Sequence, residues 1–451
     1  MLVIPFVIYL LFLRVFELFK VLFDLIPPIV WLTFGSLAIA VLVGILGSVF
    51  AVRFKRRKEG SLWAPPAPIA ETPAAPIPSS NPFEAADEYE PPATLLPSSN
   101  FQVLVLCSPV SGSGEGVDIF ERIVQPMLRR AGIRLNVIFL EKGAQAFETA
   151  AELEAGMYSG LVVIGGDKVL HEVLQGLAVS VGGGALALGG LLKSIILGLV
   201  PCGSRNGLAN SLGLTDPFIA VKRIVERVVL HGGRGRAIDL YSVHRLSGVR
   251  SGAGSSEGQP IFDFFLTSWG VAADVSLAVE RGPQFIPRNF RLFFAALFSL
   301  FTLKAKQGSL TLTVQASSPA EVAEKNLPKP EERVVTLTGK FTLVSVSNVA
   351  RISEDLVLAP GARPDDGRLH VSVIRHCSRW HALRTLLAVS AGEELAQFAW
   401  VQGYVCSRVV ISNETGEVDI CGFGEEELEQ RKYQGDGVLI QCLPRTAWLW
   451  Y

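Results

Sequence analysis

Leu161-Val162-Val163-Ile164-Gly165-Gly166-Asp167-Lys168-Val169-Leu170-His171-Glu172 is the stretch on which the reading of this chain turns. Four apolar residues in a row suit a strand covered on both faces. Two glycines then stop it, and after Asp167 the residues Val169, Leu170, Val173, Leu174 and Leu177 recur at helical spacing. Asp167 thus falls at a strand-to-helix junction, where unpaired N–H groups and the helix dipole favour a phosphate. A lone turn of this kind is equally an ordinary α/β connection, so its neighbours decide.

Upstream, Gln102–Cys107 reads as a strand and Ser108-Pro109-Val110-Ser111-Gly112-Ser113-Gly114 as a tight loop. A helix is expected over Asp118–Ala131 with a kink at Pro126, then a strand over Leu135–Leu140 and a helix over Ala146–Glu154. Downstream, the glycine-rich stretch Gly182–Gly190 leads to a strand over Ile196–Val200. The loop Pro201-Cys202-Gly203-Ser204-Arg205-Asn206-Gly207-Leu208-Ala209 follows it. Asp216-Pro217 has the form of an N-cap with proline in the first turn. Strands alternating with helices predict a parallel, doubly wound sheet, whose ligands gather at the carboxyl ends of the strands. All three polar loops lie on that edge.

After Arg236 the pattern changes. Ala237–His244 and Ile261–Trp269 flank a Gly/Ser-rich loop as a hairpin would. Ser309–Val314, Val334–Leu337, Lys340–Val346, Arg368–Ile374 and Arg408–Ile411 continue as strands, interrupted by helices at Asn289–Leu303 and Trp380–Phe398. The first of these helices carries so many apolar residues that it suits either a core or a wall for a lipid tail.

The 451 residues carry 41 Lys+Arg against 42 Asp+Glu, a balance that gives no argument for nucleic-acid binding. Six scattered cysteines contain no CxxC pair, which speaks against a zinc site and fits a reducing compartment. Residues 1–58 read as a membrane anchor. Residues 29–52 are uncharged and long enough to span a bilayer. Arg53, Lys55, Arg56, Arg57 and Lys58 then place the rest of the chain on the cytosolic face of an intracellular membrane. Residues 2–26, interrupted by Arg14, Glu17, Lys20 and Asp24, read as an interfacial or re-entrant segment. Residues 59–100, rich in Pro, Ala and Ser, read as a disordered tether.

From Phe101 to about Tyr451 the chain resembles the sphingosine kinase and diacylglycerol kinase catalytic superfamily, sphingosine kinases most of all. Ser108-Pro109-x-x-Gly112-x-Gly114 is similar to its phosphate loop. Gly165-Gly166-Asp167-x-x-x-His171-Glu172-Val173-x-x-Gly176-Leu177 resembles its GGDG…HEVxNGL signature, and Pro201-x-Gly203-Ser204-x-Asn206-x-Leu208-Ala209 its PxGSGNxLA element. Ile238–Ser242, Trp269–Val275 and Ala359–Gly367 resemble three later stretches. The resemblance implies a nucleotide-binding α/β domain over 101–232, a mostly antiparallel, β-rich lipid-binding domain over 233–451, and ATP- and Mg²⁺-dependent phosphorylation of a lipid hydroxyl. That chemistry needs a carboxylate to accept the hydroxyl proton or to hold Mg²⁺, and Asp167 is the leading candidate. The implied nucleotide set is Ser108, Gly112, Gly114, Gly165, Gly166, Lys168, Glu172, Gly203, Ser204, Arg205 and Asn206. His171 and Glu172 support Asp167. Asp239 and Asp274 are the implied substrate residues, Asp239 favouring a sphingoid base through its cationic amine. The partners expected are lipid and bilayer; the sequence leaves protein partners and metal ligands open.

Three positions depart from the pattern. Lys168 and Arg205 stand where glycine is expected, and the late Asp-Gly-Glu element is not intact: Cys421-Gly422-Phe423, Phe423-Gly424-Glu425 and Asp436-Gly437-Val438 each lack part of it. A side chain at a glycine position either blocks the approach of a phosphate or, being cationic here, binds it directly. The chain is then either an active lipid kinase or a catalytically impaired relative that binds lipid or acts as a scaffold.

Overall fold

The apolar runs of the first half form a parallel sheet. In the computed structural model, β1 (Gln102–Cys107), β2 (Arg134–Phe139), β3 (Gly160–Gly165) and β4 (Ile196–Pro201) lie in the order β2-β1-β3-β4. Every pairing among them is parallel. β3 and β4 are buried along their whole length, which is why they read as unbroken apolar runs. The structure describes residues 82, 83, 86 and 89 and, beyond them, 101–141, 145–247, 255–282, 288–315, 332–354, 356–390, 393, 395–413, 420–421 and 437–451. The segments 29–52 and 2–26 lie outside the described residues. Among those described, no single helix is long and apolar enough to cross a membrane.

Helix α1 runs through Gly116–Ile119, a π-type segment Phe120–Val124 and Gln125–Arg130. The π segment lies just ahead of Pro126, whose ring cannot fit a regular i−4 turn. α2 (Gln145–Ala151), α3 (Asp167–Ser180), α4 (Ala185–Ser194), α5 (Gly207–Ser211) and α6 (Pro217–Leu230) complete this half. Asp216 caps α6 as expected, its Oδ1 accepting the Phe218 N–H at 2.7 Å. The glycine-rich stretch is largely helical, because α4 buries Leu188, Leu191 and Leu192 against the core.

The second half is antiparallel. β5 (Arg236–Ser247) pairs with β6 (Ser255–Asp263). The run Ile261–Trp269 is not one strand: it breaks at Asp263, whose Oδ1 accepts the N–H groups of Phe264 and Phe265 at 2.7 and 3.1 Å. It resumes as β7 (Leu266–Gly270), which pairs with β9 (Glu332–Ser347). α7 (Val271–Arg281), α8 (Arg288–Thr302), β8 (Lys306–Gln315), β10 (Leu369–Arg375), α9 (Arg379–Ser390), β11 (Val401–Asn413), β12 (Ile420–Cys421) and β13 (Gly437–Trp450) complete the chain. The two strands expected at 334–337 and 340–346 are a single strand, β9.

β13 joins the halves. It is antiparallel to β5 and β11, and at its end parallel to β4, so among the described residues 13 strands form one sheet. Its Trp450 is fully buried, and a Cβ at Gly160 would come within 2.0 Å of that ring. Part of the stretch read as a tether is docked: Arg122 lies 3.9 Å over the Phe83 ring, Arg130 Nη1 donates to the Ala86 carbonyl at 2.7 Å, and Tyr89 packs edge-on against Phe218. Apolar Phe83 and Tyr89 give that stretch a hydrophobic anchor that its Pro/Ala/Ser average conceals.

Candidate active site

The loops that follow β1, β3 and β4 meet backbone to backbone. A Cβ added at Gly112 would lie 2.2 Å from the Cys202 carbonyl oxygen, and one at Gly203 would lie 2.5 Å from Gly166 Cα. Glycine is required at these crossings because nothing larger fits. Gly112 (φ +63) and Gly114 (φ +87) also use left-handed backbone that other residues adopt at a cost. Ser108 ends β1 with its N–H on the Ile164 carbonyl at 2.9 Å, while its Oγ accepts the Ser111 hydroxyl at 2.8 Å.

The third loop closes on itself. Asn206 takes a left-handed conformation (φ 53), its Oδ1 accepting the Gly203 N–H at 2.8 Å and its Nδ2 donating to the Gly203 carbonyl at 2.7 Å. Asparagine is among the few non-glycine residues that tolerate this region. Ser204 and Arg205, at the tip, are exposed and half-buried respectively.

Asp167 begins α3 and is 4% exposed. Its Oδ2 accepts the Gly207 N–H at 2.8 Å and its Oδ1 the Leu208 N–H at 3.2 Å. The start of the short α5 is therefore already occupied by this carboxylate, which locks the second loop to the third. Burial pushes the Asp167 carboxyl up to about 6, against the two N–H bonds and the Arg205 charge that pull it down; Asp263 pushes it further up. A carboxylate tuned towards neutrality suits proton transfer. Lys168 Nζ lies 3.9 Å from Glu172 Oε1, one helical turn on.

The nucleotide set named from sequence is thus brought together at one edge. The implied substrate residues are placed otherwise. Asp239 is fully buried in β5, its Oδ1 accepting the Arg445 N–H at 2.7 Å and its Oδ2 the Gly367 N–H at 2.5 Å. It ties three chain segments together from a buried position, as a strand interior that pairs its polar groups inward does. Asp274, in the first turn of α7, is partly exposed and lies 3.1 Å from Lys306 Nζ. Gly270 before it has φ +92, where a Cβ would meet the Thr342 carbonyl at 2.5 Å. Among the described residues no group of three or more His, Cys, Asp or Glu could hold a metal. Of the late element, β12 pairs with Ser268 and Trp269 of β7, and residues 422–436 lie outside the described residues.

One site residue escaped the sequence reading. Asp263, 2% exposed, has its Oδ2 3.7 Å from His171 Nδ1. Its signal was available: a lone carboxylate inside Ile261-Phe262-Asp263-Phe264-Phe265 must be buried with partners.

The Diacylglycerol kinase catalytic domain family matches residues 102–242, and the YegS C-terminal NAD kinase beta sandwich-like domain matches residues 266–445. Sphingosine kinase 1 of Mus musculus is 29% identical over 329 residues, covering 68% of this chain and 81% of that kinase. Ceramide kinase of Homo sapiens is 28% identical over 348 residues, covering 68% of this chain and 61% of its own. A putative diacylglycerol kinase from Bacillus anthracis str. Sterne shares the fold, with a TM-score of 0.50 at 17% identity over 78% of this chain and 96% of that one. With two consecutive family matches, homologous lipid kinases over two thirds of its length and the three loops in place, the chain belongs to the sphingosine kinase and diacylglycerol kinase-like lipid kinase superfamily.

Proposed function

We propose that this protein transfers the γ-phosphoryl group of ATP to a lipid hydroxyl, with a sphingoid base as the favoured acceptor on the likeness to sphingosine kinase 1 and not on Asp239, which is buried. The observation that carries the reading is the backbone crossing at Gly112, Gly166 and Gly203 with Asp167 beneath it. Phosphoryl transfer asks a protein mainly to position phosphates and to stabilise charge. The loops supply close backbone approach, and Lys168 and Arg205 supply cations where the family pattern has glycine. Asp167, once an acceptor hydroxyl reaches it, takes its proton. Mg²⁺ is usually held by one or two carboxylates together with the substrate's own phosphates. Among the described residues no cluster of carboxylates could hold a metal by itself, so Mg²⁺ would come with the nucleotide's phosphates.

We place the reaction at an intracellular membrane, with the folded part on the cytosolic side. Support comes from the apolar, basic-flanked segment 29–52 and from an apolar surface on α8 and α9. Phe298, Phe301 and Trp380 are 68, 66 and 70% exposed there. Arg379 Nε donates to the Phe301 carbonyl at 3.0 Å and so joins the two helices. Residues 288–306 and 375–391 contain no Asp or Glu but several Arg and Lys, a composition suited to anionic lipid.

A second reading is favoured by one observation: Asp167 is nearly inaccessible, and both its oxygens already accept N–H groups. On that reading the protein binds lipid without transferring phosphate. One assay separates the two. Full-length protein in vesicles is incubated with labelled ATP, Mg²⁺ and sphingoid bases, ceramide or diacylglycerol. Labelled lipid above an Asp167→Asn control supports the kinase, and none in any arm overturns it.

A further inference from the structure

Asp167, His171 and Gln175 are spaced four apart on α3 and so share one face of it. That face meets the end of β6. Gln175 grips the Phe262 backbone from both sides: its Nε2 donates to the Phe262 carbonyl, and its Oε1 accepts the Phe262 N–H at 3.2 Å. The next residue, Asp263, presents Oδ2 to His171 Nδ1 at 3.7 Å, while its Oδ1 holds the N–H groups of Phe264 and Phe265. His171 and Asp263 are 5 and 2% exposed.

His171 Nδ1 has no hydrogen-bond partner. A buried polar atom is normally satisfied, and an exception calls for a physical account. At 3.7 Å the pair is just beyond hydrogen-bond range, and a small rotation of either side chain closes it. Once closed, that contact selects the tautomer with its proton on Nδ1. Asp263 lies between the two matched family segments, 102–242 and 266–445, at the point where the β6–β7 run breaks. It therefore stands at the seam between the loop-bearing half and the antiparallel half. Across the same seam, Gly207 of α5 packs so closely that a Cβ there would lie 2.0 Å from the Phe265 ring.

We propose that His171 and Asp263 are positioning residues of the transfer reaction: their contact, with the Gln175 grip, locks α3 to β6. Asp167 is thereby carried in fixed register with the half of the protein that receives the lipid. This rests on the kinase reading above. Neither residue touches nucleotide or lipid; each acts through the placement of α3.

The test is steady-state kinetics of the full chain in vesicles. His171→Leu lowers kcat by about tenfold or more with KM for ATP within about twofold, the pattern of an interaction needed only in the transition state. His171→Gln, whose amide can donate to Asp263, restores kcat to within about threefold of wild type. Asp263→Asn keeps an acceptor for Phe264 and Phe265, removes the charge facing His171, and lowers kcat. The double variant His171→Leu/Asp263→Asn is no worse than His171→Leu alone, because coupled residues are not additive. Unchanged kcat in His171→Leu, no rescue by Gln, or losses that multiply in the double variant would each overturn the proposal. If wild type transfers phosphate to no lipid, the kinase reading fails and a role in transfer falls with it. Amide hydrogen exchange along α3 then judges the lock separately: equal loss of protection in both singles and the double upholds it, and unchanged protection refutes it.

Discussion

The Asp167 carboxylate accepts the Gly207 N–H at 2.8 Å, so the start of α3 and the start of α5 are joined through one buried side chain. Burial raises this carboxyl to about 6. If it accepts the substrate's proton it must be ionised, so kcat/KM falls as pH drops below about 6, approaching tenfold per pH unit. A rate profile measured between pH 5 and 8 that stays flat on its acid side would rule Asp167 out as the base.

Arg205 lowers the Asp167 pKa through its charge. Arg205→Gly therefore moves the acid limb of the profile to higher pH. The same variant, and Lys168→Gly, weaken ATP binding by about 1 kcal/mol each, the scale of a partly exposed charge contact. Calorimetric titration with ATP reads the sign directly. Tighter binding in either glycine variant would mean that the side chain obstructs the phosphates.

Gly203→Ala sets a Cβ 2.5 Å from Gly166 Cα and 2.8 Å from Asn206 Oδ1. Gly166 Cα is backbone at the start of α3, and Asn206 Oδ1 is held by the Gly203 N–H, so neither can yield freely. The expected cost is about 1–3 kcal/mol of stability, as for other overpacked sites, together with loss of ATP-dependent stabilisation. A thermal melt with and without ATP measures both. Gly213→Ala is the control: open space surrounds its Cβ, and only its positive φ is strained.

The parallel half was legible because its physics is local. β1, β3 and β4 are buried runs that lead into glycine-bearing loops, and Asp216-Pro217 caps α6 as its residue types dictate. The three glycine loops were legible for the same reason: the glycines at 112, 166 and 203 stand where backbones touch. What failed is long-range. Nothing local tells that β13 will join both halves through Leu449 and Trp450, or that Asp263 will break an apolar run into strands with different partners. The burial of Asp239 was not legible because its partners, Gly367 and Arg445, lie more than a hundred residues away in sequence. A buried carboxylate on a strand has the same local sequence whether it faces a ligand or a distant turn.

Asp239 gives a stability prediction with a definite sign. Its carboxyl is raised to about 6 from an ordinary value of 3.8, chiefly by burial. A folded-state pKa above the unfolded one contributes stability that is full below about pH 4 and lost as pH rises through about 6. The destabilisation caused by Asp239→Asn is therefore larger at pH 4.5 than at pH 7.5. Asp239→Ala, which leaves the Gly367 and Arg445 N–H groups unpaired, costs about 2–4 kcal/mol. Urea melts at the two pH values test this; equal losses from Asp239→Asn at both would contradict the assignment.

The α8–α9 surface should hold the protein to lipid independently of residues 1–58. Phe298, Phe301 and Trp380 expose large apolar faces, and Arg379 bridges the helices that carry them. Inserting each side chain into the interface contributes about 1.5–3 kcal/mol by area, so one charge in their place removes most of the affinity of that surface. Phe298→Glu and Trp380→Glu are expected to weaken binding to vesicles containing phosphatidylserine by about tenfold each, scaling with those side-chain contributions. Little change is expected in the melting temperature, because both residues are mostly solvent-exposed. Raising salt weakens binding further if arginine and lysine face anionic headgroups. The measurement is vesicle co-sedimentation of the full chain beside a variant lacking residues 1–58, whose removal leaves the compact 78–451 unit intact. If the truncated protein does not sediment, or sediments equally with Glu at 298 and 380, this surface is not what meets the bilayer.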